Sequence, residues 1–149
     1  MRIRQIGIVI ALVLAVACGG GGKKEETMQS SDKLLYDRLG GKDALTAVVD
    51  EFVNTAATDD RIKQFFTNTD AKHLKAMLVE QLCEASGGPC KYTGKDMRTV
   101  HTGMKITDAD FNALVEDLVK ALDKFKVGER EKTELLTALG AMKGDIVGL

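Results

Sequence analysis

Apolar residues recur along most of this chain three and four positions apart, the spacing of helices. From position 34 onward no strand-length run of alternating polarity appears. Leu34, Leu35 and Leu39, followed by Gly40-Gly41, predict a short helix closed by glycine. Residues 43–57 carry Ala44, Leu45, Val48, Val49 and Phe52, the stripe of an amphipathic helix. Residues 59–66 read as a short turn of helix ending in paired aromatics. Asp70 can cap a helix through Glu84, with Leu74, Met77, Leu78 and Leu82 on its apolar face. Ser86-Gly87-Gly88-Pro89 then breaks it. A short helix is expected over 95–102, stopped near Gly103. Thr107 and Asp110 form a capping-box-like start to a helix striped by Phe111, Leu114, Val115, Leu118, Leu122 and Phe125. Residues 129–147 supply the last helix, with Leu135, Leu136, Leu139, Met142 and Ile146. The pattern is all-α: one domain over 33–149, with four long helices and several short ones. It fits a bundle that holds no ligand equally well.

Residues 1–32 depart from this pattern. Arg2 and Arg4 precede an uncharged apolar stretch over 6–17. At roughly a dozen residues it falls short of the about 20 that a spanning helix needs. Residues 1–17 therefore read as a signal peptide. Leu14-Ala15-Val16-Ala17-Cys18 resembles the lipobox of a bacterial lipoprotein, with Ala15 where leucine is usual. That resemblance implies lipidation at Cys18, which becomes the new N-terminus. Cleavage near Ala17 without lipid, giving a secreted periplasmic protein, is the rival reading, and an uncleaved anchor is a weaker one. Residues 18–32, rich in glycine, serine and mixed charge, read as a flexible tether. The expected location is outside the cytoplasm, lipid-anchored to a bacterial membrane on its periplasmic or cell-surface side.

Composition narrows the function. The 149 residues suffice for one domain, and 44% hydrophobic with 29% charged residues is ordinary for a globular chain. The net charge is -1 and gives no reason to expect nucleic acid. Losing residues 1–17 removes two arginines and no acids, leaving 19 basic and 22 acidic residues, net -3. Such a chain would meet a membrane through acyl chains only, not through charge. Two histidines and three cysteines cannot build an all-cysteine zinc site. No paired acids or Cys/His cluster at useful spacing points to a hydrolytic or metal-catalysed enzyme.

His101 is the leading chemical candidate. It lies between breaks at Gly94 and Gly103, with Met97 four positions before it and Val100, Ile106 and Phe111 nearby. A neutral imidazole among apolar side chains is what haem iron requires on its proximal side. A core or surface histidine would look the same in isolation.

The surrounding residues add a pattern. Leu35-Tyr36-Asp37-Arg38-Leu39-Gly40-Gly41 opens the domain, and Phe65-Phe66 follows the second helix. Gly87-Gly88-Pro89 and Tyr92-Thr93-Gly94 precede Met97 and Val100-His101; Ile106-Thr107 and Phe111 come next. In this order and spacing the chain resembles a truncated globin of group I over nearly all of its folded part. The resemblance implies a two-over-two helical sandwich around a non-covalent haem b, with its iron bonded by His101. It implies that Phe66 stacks on the haem. It places Phe52, Leu74, Leu82, Met97, Val100, Ile106, Phe111 and Leu114 in the apolar pocket and Tyr92 near the propionate edge.

The distal side departs from that family. Val53 stands where tyrosine is usual and Leu78 where glutamine is frequent, with Leu74 between them. In relatives those polar groups hydrogen-bond oxygen, and such a bond contributes roughly 1.5–3 kcal/mol. Val53 and Leu78 donate nothing. The expected pocket is apolar, favours carbon monoxide relative to oxygen, and does not favour tight oxygen binding or efficient nitric-oxide dioxygenation; a nitric-oxide dioxygenase or peroxidase-like side activity is the enzymatic alternative. Met77 lies one turn beyond Leu74, and some relatives carry an internal sixth ligand there. A thioether at Met77 would give a His/Met haem suited to electron transfer or redox sensing. Otherwise Met77 covers the haem edge or faces solvent. His73, just before Leu74, is expected to point away from the iron, and bis-histidine ligation through it would need a shift of the helix.

Cys83 and Cys90 bracket the glycine-proline turn. Outside a reducing compartment they can pair, and otherwise they are two unrelated thiols. Neither begins a C-x-x-C-H haem attachment motif. Three functions follow. The first is reversible binding of a diatomic gas (oxygen, carbon monoxide or nitric oxide), including oxygen transport. The second is electron transfer through His101/Met77 with a reductase or other electron donor as partner. The third is a haem-free interaction module.

Overall fold

The computed structural model describes residues 33–149. The expected signal peptide over 1–17, Cys18 and the tether over 18–32 lie outside the described residues. Six α-helices follow in order: α1 (Leu35–Arg38), α2 (Gly41–Ala56), α3 (Ala71–Ala85), α4 (Met97–His101), α5 (Asp108–Lys124) and α6 (Glu129–Gly140). Single 3-10 turns at Lys63–Phe66 and Lys143–Asp145 complete the described chain, in which there is no strand. None of the described helices is long and apolar enough to cross a membrane.

Three of these helices, α3, α4 and α5, start where a side chain supplies acceptors for their free N–H groups. The Asp70 carboxylate accepts from the Lys72 and His73 N–H groups at 2.9 and 3.1 Å. Asp96 does the same for Thr99, at 2.9 Å. Thr107 and Asp110 close a reciprocal capping box. α2 begins two residues earlier than the apolar stripe predicts. Gly40, at φ 92°, reverses the chain so tightly that a Cβ there would lie 2.9 Å from that of Ala44. Gly41 can then open the next helix instead of closing the last.

α2 is the central element. It buries Leu45, Val48, Val49, Phe52, Val53 and Ala56, a stripe broad enough to face two neighbours. Burial of each large side chain contributes about 1.5–3 kcal/mol, which outweighs the modest helical preference of valine. α2 packs on α3 in one layer and α5 on α6 in the other, while α2 crosses to α5 and α3 to α6. This is the expected two-over-two sandwich. The Arg38 guanidinium ties α1 to α6 by pairing with Glu131 and Glu134.

Three local expectations need correction. The last helix ends at Gly140, not near 147. Gly140 and Gly144 weaken helix propagation, and the chain folds back over α4 instead. Arg98 meets Asp145 at 3.0 Å, and the Lys105 N–H donates to the Leu149 carbonyl at 2.9 Å. Phe125 is 44% exposed because α5 ends at Lys124 and Lys126 turns the chain at φ 57°. Leu34 precedes α1 and is 55% exposed, outside the short helix expected to include it.

Candidate cofactor site

α4 is only five residues long and could not persist without support. The Asp96 cap holds one end and the returning C-terminal segment packs along it. At its other end the His101 ring is fixed by a 2.8 Å contact between Nδ1 and the Met97 carbonyl oxygen. A carbonyl only accepts, so Nδ1 carries the proton and donates. That leaves the lone pair on Nε2 available as a ligand, the arrangement in which a backbone carbonyl orients a metal-binding histidine.

His101 sits where two adjoining chambers meet. Both are lined by Phe52, Leu78, His101, Phe111, Leu114 and Ile146. The inner chamber adds the expected Leu82 and Met97 together with Gln81, and Leu136, Leu139 and Met142 beyond them. The outer one, about 320 Å³, adds Phe65, Phe66, Leu74, Val100, Met104 and Ile106. That volume is within the range of small-molecule sites. The walls are apolar with a single imidazole at the junction. Among the described residues no cluster of three or more His, Cys, Asp or Glu side chains could hold a bare metal ion. One nitrogen donor in a slot between α3 and α4 fits a flat macrocycle that brings its own metal. It does not fit a multidentate protein site.

Most of the expected pocket residues come together here. Phe52, Leu78, Phe111 and Leu114 reach both chambers; Leu82 and Met97 line the inner one; Phe66, Leu74, Val100 and Ile106 line the outer. Val100 does so while 44% exposed, at the mouth of the slot. Three others line neither chamber. Val53 is 3% exposed and packs in the helix core: it lies one residue, about 100° of helix rotation, from Phe52. Met77 is likewise one residue off the face shared by Leu74 and Leu78, and is half-buried beside the slot. The Tyr92 hydroxyl donates to the Lys95 carbonyl at 2.8 Å, and burial raises its pKa.

The loop carrying Tyr92 is stitched to α3. Glu84 accepts from the Tyr92 N–H and Glu80 from the Thr93 N–H, each at 3.0 Å. The Thr93 hydroxyl and N–H hold the Glu80 carboxyl below its ordinary range. Cys83 at the end of α3 is joined to Cys90 in the same loop, with Cα atoms 5.7 Å apart.

Gln81 and Met142 were not expected in the pocket. Gln81 lies three residues after Leu78 on the same face of α3, so helical spacing could have found it. Met142 continues the apolar spacing of α6 but lies beyond its end, in the returning segment.

The Asp96 cap has a pH consequence. Hydrogen bonds from the Thr99 hydroxyl and N–H lower its carboxyl pKa. A lowered folded value contributes stability that is present above the unfolded value, about 4, and is lost as pH falls through the lowered one. Asp96→Ala is therefore expected to be less stable than the parent at neutral pH. Urea unfolding should show the difference shrinking below about pH 4. A difference that stays constant there would mean the cap is not ionic.

A six-helix sandwich with one oriented imidazole facing an apolar slot defines a haem-binding helical protein of the globin class. Comparison with known proteins makes this specific. The chain matches the family described as Bacterial-like globin over residues 34–147, and it belongs to that family. It is 32% identical to the Group 1 truncated hemoglobin of Tetrahymena pyriformis, over 76% of this chain and 94% of the relative. It is 37% identical to Group 1 truncated hemoglobin GlbN of Mycolicibacterium paratuberculosis, over 75% of this chain and 82% of the relative. The crystal structure of the Tetrahymena pyriformis protein in its Fe(III) form superposes with a TM-score of 0.76. It covers 78% of this chain and all of that one, at 32% identity. The chain is a truncated globin, and the cofactor of that family is haem b with its iron.

Proposed function

We propose that this protein reversibly binds a diatomic gas in the slot opposite His101. The carrying observation is His101 itself: its proton is committed to the Met97 carbonyl and its free nitrogen stands between two apolar chambers. Haem b, when bound, supplies the iron that takes up the gas. The chain supplies the rest. His101 would hold the iron from one side. Phe52, Phe66, Phe111 and Leu114 would enclose the macrocycle and exclude water. Leu74 and Leu78 would face the gas and offer it no hydrogen bond. No observation favours the His101/Met77 alternative, because Met77 lines neither chamber. Lipid anchoring through Cys18 would place this gas site at a bacterial membrane, outside the cytoplasm.

The test introduces a donor. Leu78→Gln is expected to slow oxygen dissociation about tenfold, since one added hydrogen bond contributes about 1 kcal/mol or slightly more. Carbon monoxide, which is less polar when bound, should dissociate at nearly the parent rate. Stopped-flow displacement measures both. Equal effects on the two gases, or none, would contradict the reading of Leu78 as a distal wall.

A further inference from the structure

We propose that the returning segment over residues 141–149 is a strap that positions His101, with Arg98 and Asp145 as its ionic latch. The role rests on the reading above, in which His101 holds the cofactor iron.

A five-residue helix is too short to fix a ligand by itself, and the Asp96 cap holds only the end of α4 away from His101. The strap grips the chain on both sides of the histidine. Before it, two nitrogens of the Arg98 guanidinium reach one carboxylate oxygen of Asp145, at 3.0 and 3.2 Å. After it, the Lys105 N–H donates to the Leu149 carbonyl and the Gly148 N–H to the Ile106 carbonyl, each at 2.9 Å. On the inner side the Gln81 amide nitrogen lies 3.3 Å from the Met97 sulfur and 3.4 Å from the Met142 sulfur, joining α3, α4 and the strap. Met97 is also the residue whose carbonyl accepts from the His101 ring. Whatever places Met97 therefore places the imidazole.

The strap is itself referred to the slot. Lys143 pairs with Asp108 at the start of α5 and lies 5.4 Å over the Phe111 ring, and Phe111 lines both chambers. Ile146, next to Asp145, lines them too. The strap thus sets α4, and the ligand at its end, at a fixed place relative to the walls. Partners that orient a metal ligand from behind tune how well it holds the metal. The fasteners are weak ones. Thioether sulfurs are poor acceptors. Arg98 and Asp145 are both more than half exposed, so their attraction is modest and salt screens it. The hold on His101 is therefore one that salt or a single charge change can loosen without disturbing the rest of the domain.

The experiment compares the full chain with its Asp145→Asn variant, haem-free and haem-loaded. In the haem-free chain, amide hydrogen exchange over residues 97–102 is expected to quicken about two- to fivefold, the range for an exposed ion pair. Exchange in α2 and α5 should not change. In the haem-loaded chain, the ferrous iron–imidazole stretching band should shift or broaden, and haem loss should quicken by a similar factor. The parent should approach the variant in about 1 M salt, where the screening length is about 3 Å. Asp50→Asn, which removes the comparably exposed pair with Lys75 between α2 and α3, should alter none of these. Arg98→Glu combined with Asp145→Arg should restore the parent values. Unchanged exchange over 97–102 overturns the proposal. So does an unchanged iron–imidazole band with unchanged haem loss, because the strap would then support α4 without setting the ligand. A charge-swapped pair that restores nothing overturns the latch. A parent that takes up no haem overturns the reading of His101 as the iron ligand and this inference with it, whereas a parent that binds haem and gas with Asp145→Asn unchanged overturns this inference alone.

Discussion

His101→Ala is expected to abolish retention of haem in a defined site, the largest effect of any single substitution in this chain. No other side chain at the junction of the two chambers offers a nitrogen, oxygen or thiolate ligand. The fold should survive. His101 is half-buried, contributes one hydrogen bond to the Met97 carbonyl, and stands at the end of a five-residue helix held by Asp96. Haem titration followed by absorbance gives the readout, with circular dichroism as the check on helicity. Free imidazole should restore part of the parent spectrum, because the cavity left by the ring can admit it. A variant that keeps the parent spectrum without imidazole would mean another residue holds the iron.

The second large effect is on stability. Cys83 and Cys90 close a short loop around Gly87-Gly88-Pro89. In the chain-entropy account a loop of that size contributes about 2.5 kcal/mol by restricting the unfolded chain. For a domain of this size that corresponds to roughly 10 °C in melting temperature. Reductant and Cys90→Ala should each lower the melting temperature by about that amount, and their effects should not add. The loop joins the end of α3, beside Gln81 and Leu82, to the segment leading into α4. Its release should therefore quicken haem loss as well. A melting temperature insensitive to reductant would mean the pair contributes nothing.

The fold was legible wherever a stripe of apolar residues met a cap. α2, α3 and α5 announce themselves through Leu45 to Phe52, through Asp70 ahead of Leu74, and through Thr107-Asp110 ahead of Phe111. Periodicity loses its hold where helices end. Nothing in the spacing of Leu139, Met142 and Ile146 shows that the first belongs to α6 and the others to a returning turn, because the three- and four-residue steps run on past the helix end. The site was legible through His101, since one histidine among apolar residues can be read in one dimension. Its walls were less so. A single residue step along a helix separates Phe52 from Val53 and Leu78 from Met77, yet it moves a side chain by about 100° and decides whether it reaches the slot. Gln81 was passed over for a related reason: a polar residue on an apolar face reads as an exposed position until its neighbours in space are known.

The ferrous spectrum of the haem-loaded chain, before and after carbon monoxide, tests the central claim most directly. With His101 as the sole protein ligand, the ferrous form should be high-spin and five-coordinate and should convert completely on adding carbon monoxide. A low-spin ferrous spectrum that disappears in Met77→Ala would contradict this account, replacing an open gas site with a closed His/Met centre.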